Sequence, residues 1–260
     1  MRVQVREGHV GPSICVATPT YDGQCSAPFV DSMLRLQKVC ERLGIALHWL
    51  RVVRMPVDRA RDHLVAEFRR RPRLGDVLVF IDADEGFPPR AAFDVVRLAQ
   101  TRDMVAAAVP SRAIGWRGVW RAAHAIREDD AEAVLPLVSS AERAVVPLRP
   151  ARIGDVFECD DVGTGFLAVH RRVFDRLEAA HPDLRCEFTE RVVVPGVSFF
   201  LPMIQNGKRL SEDGSFVARW RALGGRCWAI AWHNLVHSGM VDQVDDALVR
   251  AKLRVPLSGV

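Results

Sequence analysis

Three acids close a short apolar run in Asp76-Val-Leu-Val-Phe-Ile-Asp-Ala-Asp-Glu-Gly-Phe-Pro-Pro89. Val77 to Ile81 is continuous and rich in β-branched and aromatic residues, which predicts a strand buried on both faces, as in a parallel sheet. Asp82 and Asp84 stand two apart on extended chain, so side-chain alternation turns both carboxylates toward one place. Two hard oxygen ligands leave coordination positions on a divalent cation open to the phosphates of a nucleotide. Acids also end strands simply because the chain returns to water, so the remaining residues must decide.

Other stretches carry residue types that suit such a site. Ser13 to Ala17 reads as a first strand, and Thr18 to Gly23 as the loop at its carboxyl end. Tyr21, the single tyrosine, can stack on a nucleobase there or merely pack the loop. Pro56 to Phe68 opens a helix with Asp58 as its expected cap. Arg59 and Arg61 lie in its first turn, against the macrodipole preference for acids. That placement suits a bound diphosphate, and it also suits arginines that face solvent. Gly163 and Gly165 flank Thr164 without the spacing of a dinucleotide fingerprint, so they let backbone approach a ligand or make a turn. Ser211 is a helix cap, and Glu212 and Asp213 favour the positive first turn of that helix. His237 closes the set, with His233 as its neighbouring competitor.

The elements that must position these residues alternate. Strands at Ser13 to Ala17, Ile45 to Val53, Val77 to Ile81 and Asp103 to Pro110 are separated by helices at Ala27 to Leu43, from Pro56, and from Pro89 to about Gln100. This order predicts an α/β fold with a doubly wound, mostly parallel sheet, and ligands gather at the carboxyl ends of such strands. Further strands are expected at Asp155 to Asp160 and Cys227 to Trp232, a short helix at Arg172 to Leu177, an irregular stretch from His181 to Gly207, and a surface helix over the tail. At 260 residues one domain is expected, with a nucleotide-binding half at about 12–110, an insertion at about 111–150, an acceptor half at about 151–240 and a tail helix at about 241–260. The insertion holds Trp116 and Trp120 among arginines and is the place where acceptor choice should be written.

Composition excludes little beyond disorder. The net charge of +4 is a mild excess, nearly all of it arginine, and argues only weakly for a nucleic-acid partner. Six scattered cysteines without a Cys-x-x-Cys pair, together with an N-terminus lacking an apolar signal core, suggest a reducing cytoplasm. The most hydrophobic later stretch is broken by Pro195 and Pro202, so no membrane span is expected.

With these pieces in order, the chain resembles the GT-A-type glycosyltransferases, enzymes built on a single Rossmann-like three-layer αβα sandwich. Asp82-Ala-Asp84 is similar to the family's Asp-x-Asp after a hydrophobic strand, and Val162-Gly-Thr-Gly-Phe166 to its glycine loop beside the donor sugar. Ser211-Glu-Asp213 is similar to the x-Glu-Asp of the acceptor-side helix, and His237 to the C-terminal metal-binding histidine. The resemblance implies that Asp84 and His237 ligate a metal and that Asp82 touches the ribose or a metal-bound water. Thr18, Tyr21, Arg59, Arg61, Gly163 and Gly165 would border the donor nucleotide. Asp213 would be the general base of an inverting transfer, with Glu212 in reserve. An imidazole ligand tilts the choice from Mg²⁺ to Mn²⁺.

The expected activity is metal-dependent transfer of a hexose from a nucleoside diphosphate sugar, uridine-linked, to a hydroxyl on a glycan or a modified DNA base. A nucleotidyltransferase acting on a sugar phosphate would use acids on a similar sheet but release pyrophosphate. A non-catalytic nucleic-acid-binding module would show steep salt dependence instead.

Overall fold

The computed structural model describes residues 12–110, 145–148, 154–189 and 193–239. The first half alternates strand and helix as the sequence predicts: β1 (Ser13–Thr20), α1 (Ala27–Leu43), β2 (Ala46–Val53), α2 (Val57–Arg70), β3 (Val77–Ile81), β4 (Glu85–Gly86), α3 (Pro89–Arg102) and β5 (Met104–Ala107). The second half adds β6 (Val145–Pro147), β7 (Phe157–Val162), β8 (Phe166–His170), α4 (Arg171–Ala180), β9 (Arg185–Phe188), β10 (Val194–Val197), β11 (Ile204–Gln205), β12 (Lys208–Arg209), α5 (Glu212–Ala222), β13 (Cys227–Ile230) and β14 (Val236–His237).

Eight strands form the central sheet in the order β2-β1-β3-β8-β5-β13-β7-β6. β2, β1 and β3 run parallel, and β5 runs parallel to β13, whereas β8 is antiparallel to both of its neighbours, β3 and β5. β7 also runs against β13 and β6. Side-chain alternation divides the core in two. Val77, Val79 and Ile81 pack with Phe29, Leu36, Val95 and Ala99 under α1 and α3. Leu78 and Phe80 pack with Leu64, Phe68, Phe174, Phe216 and Trp220 under α2, α4 and α5. A strand apolar on every position thus serves two layers, and the result is a three-layer αβα sandwich with a mostly parallel sheet, in which β7 and β8 run against the other strands.

Several boundaries differ from expectation. Thr18 and Thr20 belong to β1, because β1 pairs with β2 through Thr20↔Val53, so the loop begins only at Tyr21. Pro56, not Asp58, precedes the first turn of α2, and Asp58 lies within that turn. The stretch expected to be irregular contains two antiparallel hairpins, β9–β10 and β11–β12. The second turns on Asn206 and Gly207, both at positive φ. The end of the expected insertion joins the sheet as its edge strand β6. Trp116, Trp120 and the tail helix lie outside the described residues. Among the described residues, no helix is long and apolar enough to cross a membrane.

Candidate metal and nucleotide site

The chain leaves β3 at Ile81, and two backbone contacts shape the turn beyond it. Gly165, at the turn into β8, accepts the Asp82 N–H at 3.0 Å, and the Glu85 N–H returns to the Asp82 carbonyl at 3.1 Å. The resulting tight turn carries Asp82, Ala83 and Asp84 out of the sheet and swings Glu85 back beneath it. A Cβ on Gly165 would stand 3.4 Å from Glu85 Oε1 and 3.6 Å from Asp82 Oδ2, so the bare backbone leaves room for two carboxylates. Gly163 sits on the same β7–β8 turn, partly exposed.

β4 receives β14, pairing Val236 with Gly86 and His237 with Glu85. The pairing brings His237 Nε2 to 3.4 Å from Glu85 Oε1 and 3.7 Å from Asp84 Oδ2. The other ring nitrogen, Nδ1, lies 2.8 Å from the Pro110 carbonyl, which can only accept, so Nδ1 carries the proton in the neutral ring. Nε2 therefore presents its lone pair to the two acids, the arrangement a metal-ligating histidine needs.

Glu85, which no expected motif singles out, is the most constrained member. Its side chain is 1 % exposed, and Oε2 has no hydrogen-bond partner among the described residues. Burial, with Asp82 adding repulsion, pushes its carboxyl up to about 9. A buried carboxyl beside another acid is costly unless a proton or a cation neutralises it. The donor atoms of Asp84, Glu85 and His237 all lie within 4.8 Å of one another. Donors held roughly 2.1 Å from one ion at angles of about 90–120° are themselves about 3.0–3.7 Å apart, so the observed spacings fit a small divalent cation. Such an ion would be held by Asp84, Glu85 and His237, and the mixed oxygen and nitrogen donors suit Mn²⁺ better than Mg²⁺.

Asp82 is placed differently. Arg61 is buried, with its side chain 3 % exposed, and donates from Nη1 to Glu212 Oε1 at 2.5 Å and from Nη2 to Asp82 Oδ1 at 3.2 Å. One guanidinium on α2 thus joins the end of β3 to the first turn of α5. The arginine expected to face a diphosphate is occupied by carboxylates, which explains its burial in an apolar surround beside Phe200. Arg59 lies exposed in the first turn of α2. Asp62 accepts the Phe200 N–H at 3.0 Å, and burial pushes its carboxyl well above the ordinary range.

Asp213, expected as the base, has local partners: its Oδ1 accepts the Gly214 N–H at 2.8 Å and the Ser211 hydroxyl. Ser211 caps α5 as expected. Glu212, the reserve, is the acid that the fold couples to Asp82. Thr18 is fully buried and accepts from Trp49 Nε1 at 3.0 Å, so its hydroxyl serves the sheet rather than a ligand.

Beside the acids lies a cleft of about 450 Å³, lined by residues that include Thr20, Tyr21, Asp22, Met55, Asp82 and Asp84. Tyr21 is 76 % exposed, which leaves its ring available for stacking in the cleft. The cleft sits where ligands of open α/β sheets collect, beyond the carboxyl ends of β1 and β3.

No protein-family model and no curated protein matches the sequence. Among solved structures, the chain is similar to A197 from STIV at 11% identity and TM-score 0.49, covering 90% of this chain and 99% of that one. It is also similar to a glycosyltransferase involved in the glycosylation of the major capsid of PBCV-1, at 8% identity, TM-score 0.32 and coverage of 65% and 66%. A third match is the 2-C-methyl-D-erythritol 4-phosphate cytidylyltransferase from Thermus thermophilus, at 10% identity, TM-score 0.36 and coverage of 94% and 99%.

Proposed function

We propose that the chain is a metal-dependent glycosyltransferase that moves a sugar from a nucleoside diphosphate, uridine-linked, to an acceptor hydroxyl. The observation that carries the proposal is the buried Glu85 carboxyl, its Oε2 without a partner among the described residues, packed with His237 and with Asp84, which also lines the Tyr21 cleft. The cleft wall is acidic at Asp22, Asp82 and Asp84, so a diphosphate entering it needs a cation between itself and the protein. When bound, that cation would neutralise the charge that grows on the departing diphosphate.

The residues of the chain divide the remaining work. Tyr21 stacks on the base, Asp84, Glu85 and His237 hold the ion, and Gly165 lets the donor approach the acids. Glu212 stands on the acceptor side. Arg61 holds Oε1, and among the described residues no hydrogen bond engages Oε2, which would take the proton of the attacking hydroxyl. Arg61 holds Glu212 fixed relative to Asp82.

Purified protein incubated with Mn²⁺ and a panel of nucleoside diphosphate sugars should release nucleoside diphosphate, slowly into water and faster with the right acceptor. Release of pyrophosphate from a nucleoside triphosphate and a sugar phosphate would identify a nucleotidyltransferase instead. Absence of binding to any donor, with and without Mn²⁺, would remove the proposal.

A further inference from the structure

The segment that delivers His237 is fastened to the body of the protein at a point outside the cation site. Between β13 and β14 the chain bends at residues 231–235, and this bend turns it so that β14 can lie antiparallel on β4. Two consecutive side chains of the bend reach one carboxylate on α3. Trp232 Nε1 donates to Asp94 Oδ2 at 3.2 Å, and His233 Nε2 lies 3.0 Å from the same oxygen. Arg97 donates to Oδ1 at 3.4 Å. The His233 and Asp94 side chains are both largely buried, and Trp232 and Leu235 pack against the core beneath α1 and α3. Burial opposes ionisation of Asp94, but the hydrogen bonds from Trp232, His233 and Arg97 outweigh it and hold the carboxyl below its ordinary range.

We infer that Asp94 is a positioning residue of the cation site: by gripping Trp232 and His233 it sets the bend that brings His237 Nε2 to Asp84 and Glu85. This rests on the cation reading given above. The physical reason is leverage. β4 and β14 are two residues each, too short to hold their own register, and the Nδ1 contact to Pro110 fixes the ring only once the backbone has arrived. The Ser238 N–H on the Asp84 carbonyl at 2.8 Å pins the chain just after His237, and Asp94 supplies the anchor before it, through Trp232 and His233. It touches neither ion nor substrate. His233, which competes with His237 as a ligand in the sequence, is explained as part of this anchor.

The test is calorimetric titration of Mn²⁺ alone into the full chain, without nucleotide, paired with thermal denaturation in EDTA. Asp94→Ala should weaken Mn²⁺ binding about 10- to 100-fold, the range typical when a supporting partner of a metal ligand is removed. The denaturation midpoint in EDTA should fall only by what leaving the Trp232 and His233 donors unpaired costs, with one cooperative transition retained. Asp94→Asn, which keeps one oxygen to face both Trp232 and His233, should recover part of the affinity. Trp232→Phe, which removes a single donor and keeps the ring, should give a smaller loss and serves if Asp94→Ala does not fold. Wild-type Mn²⁺ affinity in Asp94→Ala or, failing that, in Trp232→Phe, alongside loss in His237→Ala, would overturn the role of Asp94 and leave the cation site standing. Wild-type affinity in His237→Ala and Glu85→Ala would overturn both.

Discussion

Glu85 is an acid buried where β4 meets β14. A carboxyl with 1 % exposure, one oxygen without a partner and another acid nearby has no permanent counter-charge among the described residues. Replacing it with glutamine should relieve the folded protein of this burden in EDTA, so its thermal midpoint should rise or hold. Mn²⁺ affinity should fall by at least the roughly 10- to 100-fold that loss of a mere supporting partner costs. Calorimetry with thermal melts reads both, and a variant that binds Mn²⁺ normally would contradict the assignment. Arg61 makes the opposite prediction. Arg61→Ala strips the shared cation from Asp82 and Glu212 and should cost about 3 kcal/mol of stability by urea denaturation, the lower end for breaking a buried pair because both carboxylates keep some water. Asp62 gives a pH signature. Its folded carboxyl lies above the ordinary 3.8, so its contribution is full below about pH 4 and is lost as pH rises through the folded value. Asp62→Asn, which keeps an oxygen for the Phe200 N–H, should therefore gain stability relative to the wild type as pH increases from about 5 to about 8. Parallel slopes in urea titrations would refute this.

At the scale of elements, the alternation of strand and helix through residue 102 is legible because each segment carries its own signal. β3 is apolar at every position, α1 has helical spacing and is stopped by Gly44 in the left-handed region, and α5 is capped by Ser211. The features that sequence does not reveal depend on distant partners. Glu85 becomes buried only because β14 returns much later in the chain to cover it. Arg61 reads as a phosphate contact until α5 brings Glu212 to it. The direction of β8 and the small hairpins are likewise set by pairing rather than composition. One visible cue to Glu85 is its place as the third of the acids closing an apolar run, immediately before a glycine. Close packing between elements also has a testable point at Gly225, after α5. A Cβ there would collide with the buried Trp220 ring, so Gly225→Ala should cost about 1–3 kcal/mol by denaturant unfolding with the cation site intact. An unchanged midpoint would show that the ring has somewhere to go.

For the whole molecule, the sheet brings residues from both ends of the chain to one edge: Tyr21 after β1, Asp82 to Glu85 after β3, Gly165 before β8, Glu212 on α5 and His237 on β14. Their convergence rests on β8, which runs against β3 and carries the Gly165 turn to the carboxyl end of that strand. A cation bridging the β3–β4 turn and β14 would close this arrangement and should stabilise the fold by mass action, about 2.7 kcal/mol when Mn²⁺ is at about a hundred times its dissociation constant. The most direct measurement is titration of UDP into the protein with Mn²⁺ and again with EDTA, in the wild type and in Glu85→Gln. The account predicts UDP binding that requires Mn²⁺ and is lost or greatly weakened in the variant. UDP binding of equal strength in EDTA and in Glu85→Gln, or none under any condition, would contradict it.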